Sequence, residues 1–314
     1  MTRLRWTTGE RLTPIHAASC FALGTRSVDD SIARGIAAPM AELNSRLAAA
    51  DIDFAVFWQR LVTAAAAGES DIEACSSSLI AAGCSSLSTD ATGNAIASQI
   101  ADIRLIYSER YPKLAEQLAL RGRPIREQWD GYGAGLLKRI GKLTHPSFLP
   151  KSIAVQLISP YRGGDGGLDA SAARIWIEAV LANPIPEIPE VLRVAWLVAQ
   201  VGMIEAVSAG PEDSRGDPLV SPVRLPRVAA LATLALTLEA ASDLELITTP
   251  AETLSLIFVK AADAWRLHED SESLDLLKHW WKQFQDLQTP PPVALKALDR
   301  MLHPQSVSNQ GSRR

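Results

Sequence analysis

The chain has 314 residues, enough to bury a sizeable core in one large domain or two medium ones. Hydrophobic residues make up 47% and charged residues 21%, which is typical of a folded globular protein and excludes a mostly disordered one. The net charge of −4, without a basic cluster that is interleaved with aromatics, argues against a nucleic-acid partner.

Cysteine usage and apolar runs predict the compartment. Cys20, Cys75 and Cys84 are odd in number and form no Cys-x-x-Cys pair, which favours free thiols in a reducing compartment. The first ten residues lack the apolar segment of a secretory signal. The longest apolar runs, such as 228–238, are shorter than the roughly 18 residues of a membrane span. We therefore expect a soluble cytoplasmic protein that does not contact a membrane.

Residues 1–120 are predicted to form a helical region. The first 26 residues show no clear pattern and are expected to be irregular. The next stretch is expected to be a helix that Asp29 or Asp30 caps and that Pro39 ends or kinks. Further helices are predicted over 51–67, 70–83 and 92–120, the last interrupted near Pro112.

Composition changes at Arg121, where glycine and proline become more frequent. Alternating apolar residues over 152–158 and 173–180 predict two strands joined by a long glycine-rich loop. Pro189 and Glu190 then begin a helix that is apolar nearly all round and is expected to be buried. Further helices are predicted at about 225–246, 250–267, 271–288 and 291–302.

These elements predict a predominantly helical α+β fold. The expected domains are a helical region over 1–120 and an α+β core with C-terminal helices over 121–304, followed by a disordered tail over 305–314. A small antiparallel sheet is expected to pack between the N-terminal helical bundle and the C-terminal helices.

Local sequence patterns predict no metal-binding site, no cofactor and no catalytic nucleophile. No two of the five histidines stand four apart on one helix, and no cysteine–histidine pair is expected to have the spacing of metal ligands. No Gly-x-Ser-x-Gly elbow or Ser-x-x-Lys context stands out.

The loop Gly163-Gly-Asp-Gly-Gly167 has two interpretations. Bare backbone N–H groups form nests for anions, so the loop is a candidate phosphate cradle. It lacks the Gly-x-x-x-x-Gly-Lys-Ser/Thr spacing and precedes a strand rather than a helix. These features favour a flexible connection that needs positive φ angles.

The segment 126–131 concentrates polar groups beside a tryptophan. Glu127 and Asp130 are three apart, so on a helix both carboxylates share one face, as a general acid/base pair requires. The favoured alternative is a structural network in which Arg126 and Glu127 tie the helix end to the sheet. A turn is predicted at Gly131, Gly133 and Gly135.

The order of elements over residues 121–200 resembles the zincin metallopeptidases, in particular the gluzincin-like branch. In that family a small sheet with an edge strand precedes a buried helix carrying His-Glu-x-x-His, whose histidines bind zinc while the glutamate is the general base. The corresponding stretch here is Pro189-Glu190-Val191-Leu192-Arg193. The resemblance implies that Glu190 keeps the general-base position and that Pro189 and Arg193 replace both ligands. A third ligand position maps to Glu239 or Glu252.

Proline offers a metal no side-chain lone pair and arginine stays cationic, so zinc cannot be held there in the usual way. The resemblance therefore implies a pseudo-peptidase in which a guanidinium replaces the metal. The expected partners of Arg193 are Glu190, Glu178 and Glu127. Pro-Glu before an apolar run also begins an ordinary helix, and that alternative stays open.

The leading hypothesis is a non-catalytic scaffold or binding protein with an unknown protein or small-molecule partner. The candidate binding residues are Arg193, Arg126, Trp129 and Glu178.

Two alternatives stay open. One is a hydrolase that uses Glu127, Asp130 or Glu190 in a cleft between sheet and helices. The other is a helical interaction module whose partner surface includes Trp280 and Trp281, because adjacent tryptophans on a helix do not both face one core.

Overall fold

The structure, a computed structural model, describes residues 2–183, 185–210, 218–247, 254–267, 269–287 and 289–304. The strands are β1 (Arg3–Thr8), β2 (Ser152–Ile158), β3 (Gly166–Asp169) and β4 (Arg174–Glu178). The helices are α1 (Leu12–Ala22), α2 (Asp30–Ala49), α3 (Phe54–Ala67), α4 (Asp71–Ala81), α5 (Ser86–Arg110), α6 (Leu114–Arg121), α7 (Arg123–Gln128), α8 (Ala134–Leu143), α9 (Glu190–Ser208), α10 (Leu225–Asp243), α11 (Leu254–Ala264), α12 (Ser271–Leu287) and α13 (Pro291–Leu302). The predominantly helical α+β class is confirmed. The predicted tail over 305–314 lies outside the described residues.

The chain forms two compact units, each assembled from separate stretches. The sheet unit consists of Leu4–Glu127 and Ala154–Pro184. It contains most residues of the four strands together with α1 to α6. The helical unit consists of Met1–Arg3, Gln128–Ile153 and Ile185–Arg314. The boundary predicted from the change in composition lies inside the sheet unit, and the domain division based on it stays a prediction.

The sheet is mixed, whereas the sequence predicts an antiparallel sheet. Its strand order is β1-β2-β4-β3. β2 and β4 run parallel, with Val155 opposite Ile175, and β3 runs antiparallel to β4, with Leu168 opposite Ile175. The reason is that β3 lies within the glycine-rich connection. The β3–β4 hairpin reverses the chain, so β4 returns alongside β2 in the same direction.

The first 26 residues are not irregular, contrary to the sequence-based expectation. β1 lies beside β2 at one edge of the sheet. The buried residues of α1 run from Leu12 to Ala18 and include Cys20. Neither element has a clear sequence pattern. In β1 the alternation of arginine with Leu4 and Trp6 is short, and α1 has no polar face, so its apolar residues show no helical period.

Two prolines have different effects on the helices of the sheet unit. Pro39 does not end α2, which continues to Ala49. Proline removes the hydrogen bond to the carbonyl four residues earlier, and here that residue, Gly35, is exposed, so water can reach its carbonyl. Pro112 does interrupt the long predicted helix, because α5 ends at Arg110 and α6 begins at Leu114.

The helical unit is built on two apolar helices, α9 and α10. Every residue of α9 from Glu190 to Met203 is buried, as the sequence predicts. Trp196 donates from Nε1 to the carbonyl of Ala230 at 2.9 Å and stacks on Trp265. Both helices are long and apolar enough to cross a membrane, yet 72% and 78% of their most apolar windows are buried inside the protein. This burial is compatible with a soluble protein.

The glycines of the segment 131–135 do not form the predicted turn. The chain stays helical there, with a π-helical turn over Trp129–Gly133 that joins α7 to α8. A Cβ on Gly133 would lie 2.4 Å from the ring of Trp129. Glycine therefore allows the indole to lie against the helix backbone, and its role is close packing rather than chain reversal.

Candidate functional site

Glu178 ends β4, and its carboxylate is fully buried in the sheet unit. Its Oε1 accepts hydrogen bonds from the backbone N–H groups of Tyr161 at 2.8 Å and Arg162 at 3.0 Å. Its Oε2 accepts from those of Gly163 at 2.9 Å and Gly164 at 2.7 Å. The glycine loop is therefore an anion nest whose anion is a carboxylate of the same chain.

Two glycines give this nest its shape. Gly163 and Gly164 have φ angles of 85° and 127°, which side-chain-bearing residues rarely adopt. These angles let successive N–H groups point toward one carboxylate, as a connection with positive φ permits. The phosphate-cradle alternative is disfavoured, because the amides that would bind a phosphate are already bonded to Glu178.

His16 of α1 supplies a further donor to the same carboxylate, with Nε2 3.0 Å from Oε1 of Glu178. Burial by itself lowers the pKa of His16, but the neighbouring Cys20 and Glu178 raise it well above 6.5. Burial also raises the pKa of Glu178, but His16 and the backbone N–H groups lower it to about 2. The two side chains therefore form a buried ion pair near neutral pH.

Cys20 and Asp165 lie beside this histidine. The Sγ of Cys20 is 3.5 Å from Nε2 of His16. One ligand atom each from His16, Cys20 and Asp165 lies within 4.8 Å of the other two. Asp165 also pairs with Arg162, the Nη1–Oδ2 distance being 3.3 Å.

The expectation that no cysteine–histidine pair has ligand spacing was wrong. His16 and Cys20 stand four apart on α1, so they share one helix face. A spacing of four residues indicates metal ligands only on a helix, and the sequence predicts an irregular segment over the first 26 residues. A helix predicted over this segment would identify the His16–Cys20 pair.

In the stretch 189–193, Pro189 is the N-cap of α9 and Glu190 is its first residue. Arg193 is 2% exposed, and its Nη2 lies 3.0 Å from Oε1 of Glu190. Of the three expected partners of Arg193, Glu190 is thus the one that the structure pairs with it. The carboxylate of Glu178 is bound by the nest and by His16 instead.

The predicted acid/base pair lies at the protein surface. Glu127 and Asp130 are exposed, and the ion pairs found among the described residues include neither. Arg126 lies over the ring of Trp6, with 5.8 Å between its Cζ and the ring centroid. Trp129 is buried. The structure therefore does not gather these side chains around a ligand.

Among the described residues, the remaining candidate positions do not form a site either. Glu239 is half-buried on α10, and Glu252 lies outside the described residues. Trp280 and Trp281 are both buried, and Nε1 of Trp280 donates to the carbonyl of Ala294 at 2.7 Å. These tryptophans do not form an exposed partner surface.

A groove of about 690 Å³ in the helical unit, here called the lysine groove, lies along α8. Its lining is apolar or small except at the rim and comprises Thr2, Ala134, Gly135, Leu137, Lys138, Gly141, Lys142, Pro146, Leu149, Pro150 and Lys151. Lys138 and Lys142 are one turn apart on α8, and Lys151 precedes β2. All three lysines are exposed, and the ion pairs found among the described residues include none of them.

No protein-family model, curated protein or solved structure matches this chain. Its function is therefore inferred from the geometry of these residues.

Proposed function

We propose that this chain is a non-catalytic binding protein. The observation that carries the proposal is that its buried acids are neutralised from within the fold. Glu178 is held by His16 and four backbone amides, and Glu190 is held by Arg193. A general base must reach the proton of a substrate and have a pKa near the working pH. A buried carboxylate with a pKa of about 2 is unsuited to that role.

The lysine groove is where we place the ligand. Its volume of about 690 Å³ falls within the range of small-molecule sites, roughly 300–1,000 Å³. Apolar walls favour a hydrocarbon body, and three lysines without ion-pair partners among the described residues favour a negative charge. We therefore propose an anion with an apolar chain, such as a fatty acid, as the class of ligand.

Titration calorimetry with dodecanoate and with dodecyltrimethylammonium, both kept below micelle formation, tests this proposal. We expect dodecanoate to bind and the cation of equal chain length not to bind. The double substitution Lys138→Glu/Lys142→Glu should abolish binding, whereas Lys113→Glu/Lys282→Glu, which makes the same charge change at exposed positions outside the groove, should not. Equal binding of both amphiphiles, or equal loss in both double variants, would contradict the proposal.

We further propose that residues 121–200 form a degenerate zincin-like core, that is, a pseudo-peptidase. The pairing of Arg193 with Glu190 supports this proposal, because a guanidinium then occupies the turn of α9 where a second metal ligand would stand. The glutamate at the general-base position is thereby held as a structural anion.

Restoring the metal-binding motif tests the resemblance. In a Cys20→Ser background, which removes the thiol beside His16, the double substitution Pro189→His/Arg193→His should yield a folded protein that retains zinc after desalting. Neither single substitution should do so. A folded double variant without zinc would show that α9 is not placed as a zincin helix.

The hydrolase alternative makes a different prediction. If Glu127 or Asp130 performs catalysis, Glu127→Gln or Asp130→Asn removes turnover without changing thermal stability, because both side chains are exposed. That same exposure disfavours the alternative, since neither carboxylate lies in a water-excluding cleft.

We also place the protein in the cytoplasm, because Cys20, Cys75 and Cys84 are all free thiols.

A further inference from the structure

We propose that His16, Cys20 and Asp165 form a binding site for Zn²⁺ or a similar thiophilic divalent cation. The site lies in the sheet unit and shares no residue with the stretch 189–193 or with the lysine groove, so it goes beyond the proposed function. All three side chains are buried or nearly so, and they come from two elements, α1 and the glycine loop.

The geometry matches a tetrahedral metal site. Zn–S distances of about 2.3 Å and Zn–N distances of about 2.0–2.1 Å, at a tetrahedral angle, place sulfur and nitrogen roughly 3.5 Å apart. The observed distance between Sγ of Cys20 and Nε2 of His16 is 3.5 Å. The ligand atoms of all three residues lie within 4.8 Å of one another, so small side-chain rotations would bring them onto one ion.

The ligand types select the cation. One thiolate, one imidazole and one carboxylate form the mixed sulfur, nitrogen and oxygen set that suits Zn²⁺, whereas Ca²⁺ and Mg²⁺ prefer oxygen ligands only. The Oε1 of Glu178 lies 3.0 Å from Nε2 of His16, and a metal on Nε2 would replace this hydrogen bond while the four backbone amides of the nest keep the carboxylate in place.

The burial of the three side chains indicates a structural rather than a catalytic metal site. Structural zinc sites are closed by protein ligands, whereas catalytic sites keep an open position for water or substrate. Cys20 is 3% exposed, His16 is 5% exposed and Asp165 is 9% exposed. A metal at this point would clamp α1 to the glycine loop and would raise the stability of the sheet unit without adding chemistry.

Metal analysis of the untagged protein, together with cobalt substitution, tests the proposal. After chelation and reloading, the wild-type protein should retain about one zinc per chain and melt at a higher temperature than the metal-free protein. Loading with Co²⁺ should produce a thiolate-to-cobalt charge-transfer band and the intense visible bands of tetrahedral Co²⁺. No retained zinc, together with an unchanged melting temperature, would overturn the proposal.

Substitutions then assign the ligands. Cys20→Ser should remove the thiolate–cobalt band and weaken zinc binding by about 100-fold or more, and Asp165→Asn should weaken it by at least about tenfold. Cys75→Ser is the matched control, since Cys75 is a buried thiol in α4 whose pKa is raised to about 12 by burial. An equal loss of zinc in the Cys75→Ser protein would contradict the assignment. If Cys20→Ser does not fold, Asp165→Asn and the cobalt spectrum of the wild-type protein still decide it.

Discussion

Two carboxylates, Glu178 and Asp29, reach the same pKa of about 2 by different routes. Glu178 is buried, and its charged form depends on His16 and the backbone amides of the nest. Asp29 is partly exposed, and burial is the largest single influence on its pKa, which it raises. Hydrogen bonds from Ser31 and from the hydroxyl of Tyr111 outweigh this effect. Their responses to mutation and to pH should therefore differ.

Glu178→Gln should destabilise the protein by about 3–5 kcal/mol. The substitution keeps the shape of the side chain but leaves His16 without its buried counter-ion and turns an amide N–H₂ group toward donors of the nest. Urea unfolding at pH 7 measures the loss. Glu42→Gln is the matched control, because Glu42 forms an exposed i,i+4 pair with Arg46 and should change stability little. Similar losses in both variants would contradict this view of the nest.

Asp29 should make stability depend on pH at the acidic end. Its folded-state pKa is below the value of about 3.9 in an unfolded chain, so its contribution is present above that value and is lost as pH falls toward 2. Asp29→Asn should therefore be less stable than the wild type at pH 7 and nearly equal to it at pH 2.

Urea titrations between pH 7 and pH 2 measure this difference. Tyr111→Phe, which removes the 2.6 Å bond to Oδ2 of Asp29, should shift the acid-induced loss to a higher pH. A stability difference between Asp29→Asn and the wild type that stays constant over this range would contradict the assignment.

At the scale of elements, the position of α9 is fixed by a close backbone contact as well as by the packing of its apolar side chains. A Cβ on Gly202 would lie 2.2 Å from the carbonyl oxygen of Phe148, in the 3₁₀ turn that packs on α9. A backbone oxygen cannot rotate away as a side chain does, so either α9 or the turn would have to shift.

Gly202→Ala should therefore destabilise the protein by about 2 kcal/mol or more. Gly131→Ala is the contrasting control, because Gly131 is also helical but has open space around its Cα. That change should stabilise the protein by up to about 1 kcal/mol through helix propensity. Thermal unfolding of both variants measures the difference, and equal effects would show that the contact at Gly202 is not restrictive.

Elements with a local signal could be predicted from the sequence. Asp29 caps α2 and Ser70 caps α4, and the apolar helix that follows Pro189 is buried as expected. The direction of β4 could not be predicted, because it depends on the short hairpin that β3 forms within the glycine-rich connection. β3 has only four residues, two of them glycines, and so carries no alternating pattern.

At the scale of the whole molecule, α9 and α10 look like membrane spans by length and composition, but they are core helices. We therefore expect the protein to partition into the aqueous phase when a cloud-point detergent separates, because its apolar helices are already covered. The measurement is the distribution between the two phases, with an integral membrane protein as the control. Recovery in the detergent phase would contradict the buried placement of these helices.

The candidate site shows why a site is harder to predict than a fold. The glycine loop and Glu178 were both identified from the sequence, but their mutual binding was not. His16 and Glu178 are 162 residues apart, and only the folded chain brings them within 3.0 Å. By contrast, Glu190 was one of three partners that the zincin resemblance implied for Arg193, and it is the one that lies within local reach, three residues away on the same helix.

We propose that the buried acids of this chain form internal ion pairs and take no part in catalysis. A double-mutant cycle on α9 tests it most directly, with Glu190→Gln, Arg193→Met and the double variant compared by urea unfolding. We predict a coupling free energy above about 1 kcal/mol, because each single substitution removes the same buried Arg193–Glu190 ion pair. A coupling energy near zero, with Glu190→Gln as stable as the wild type, would contradict it.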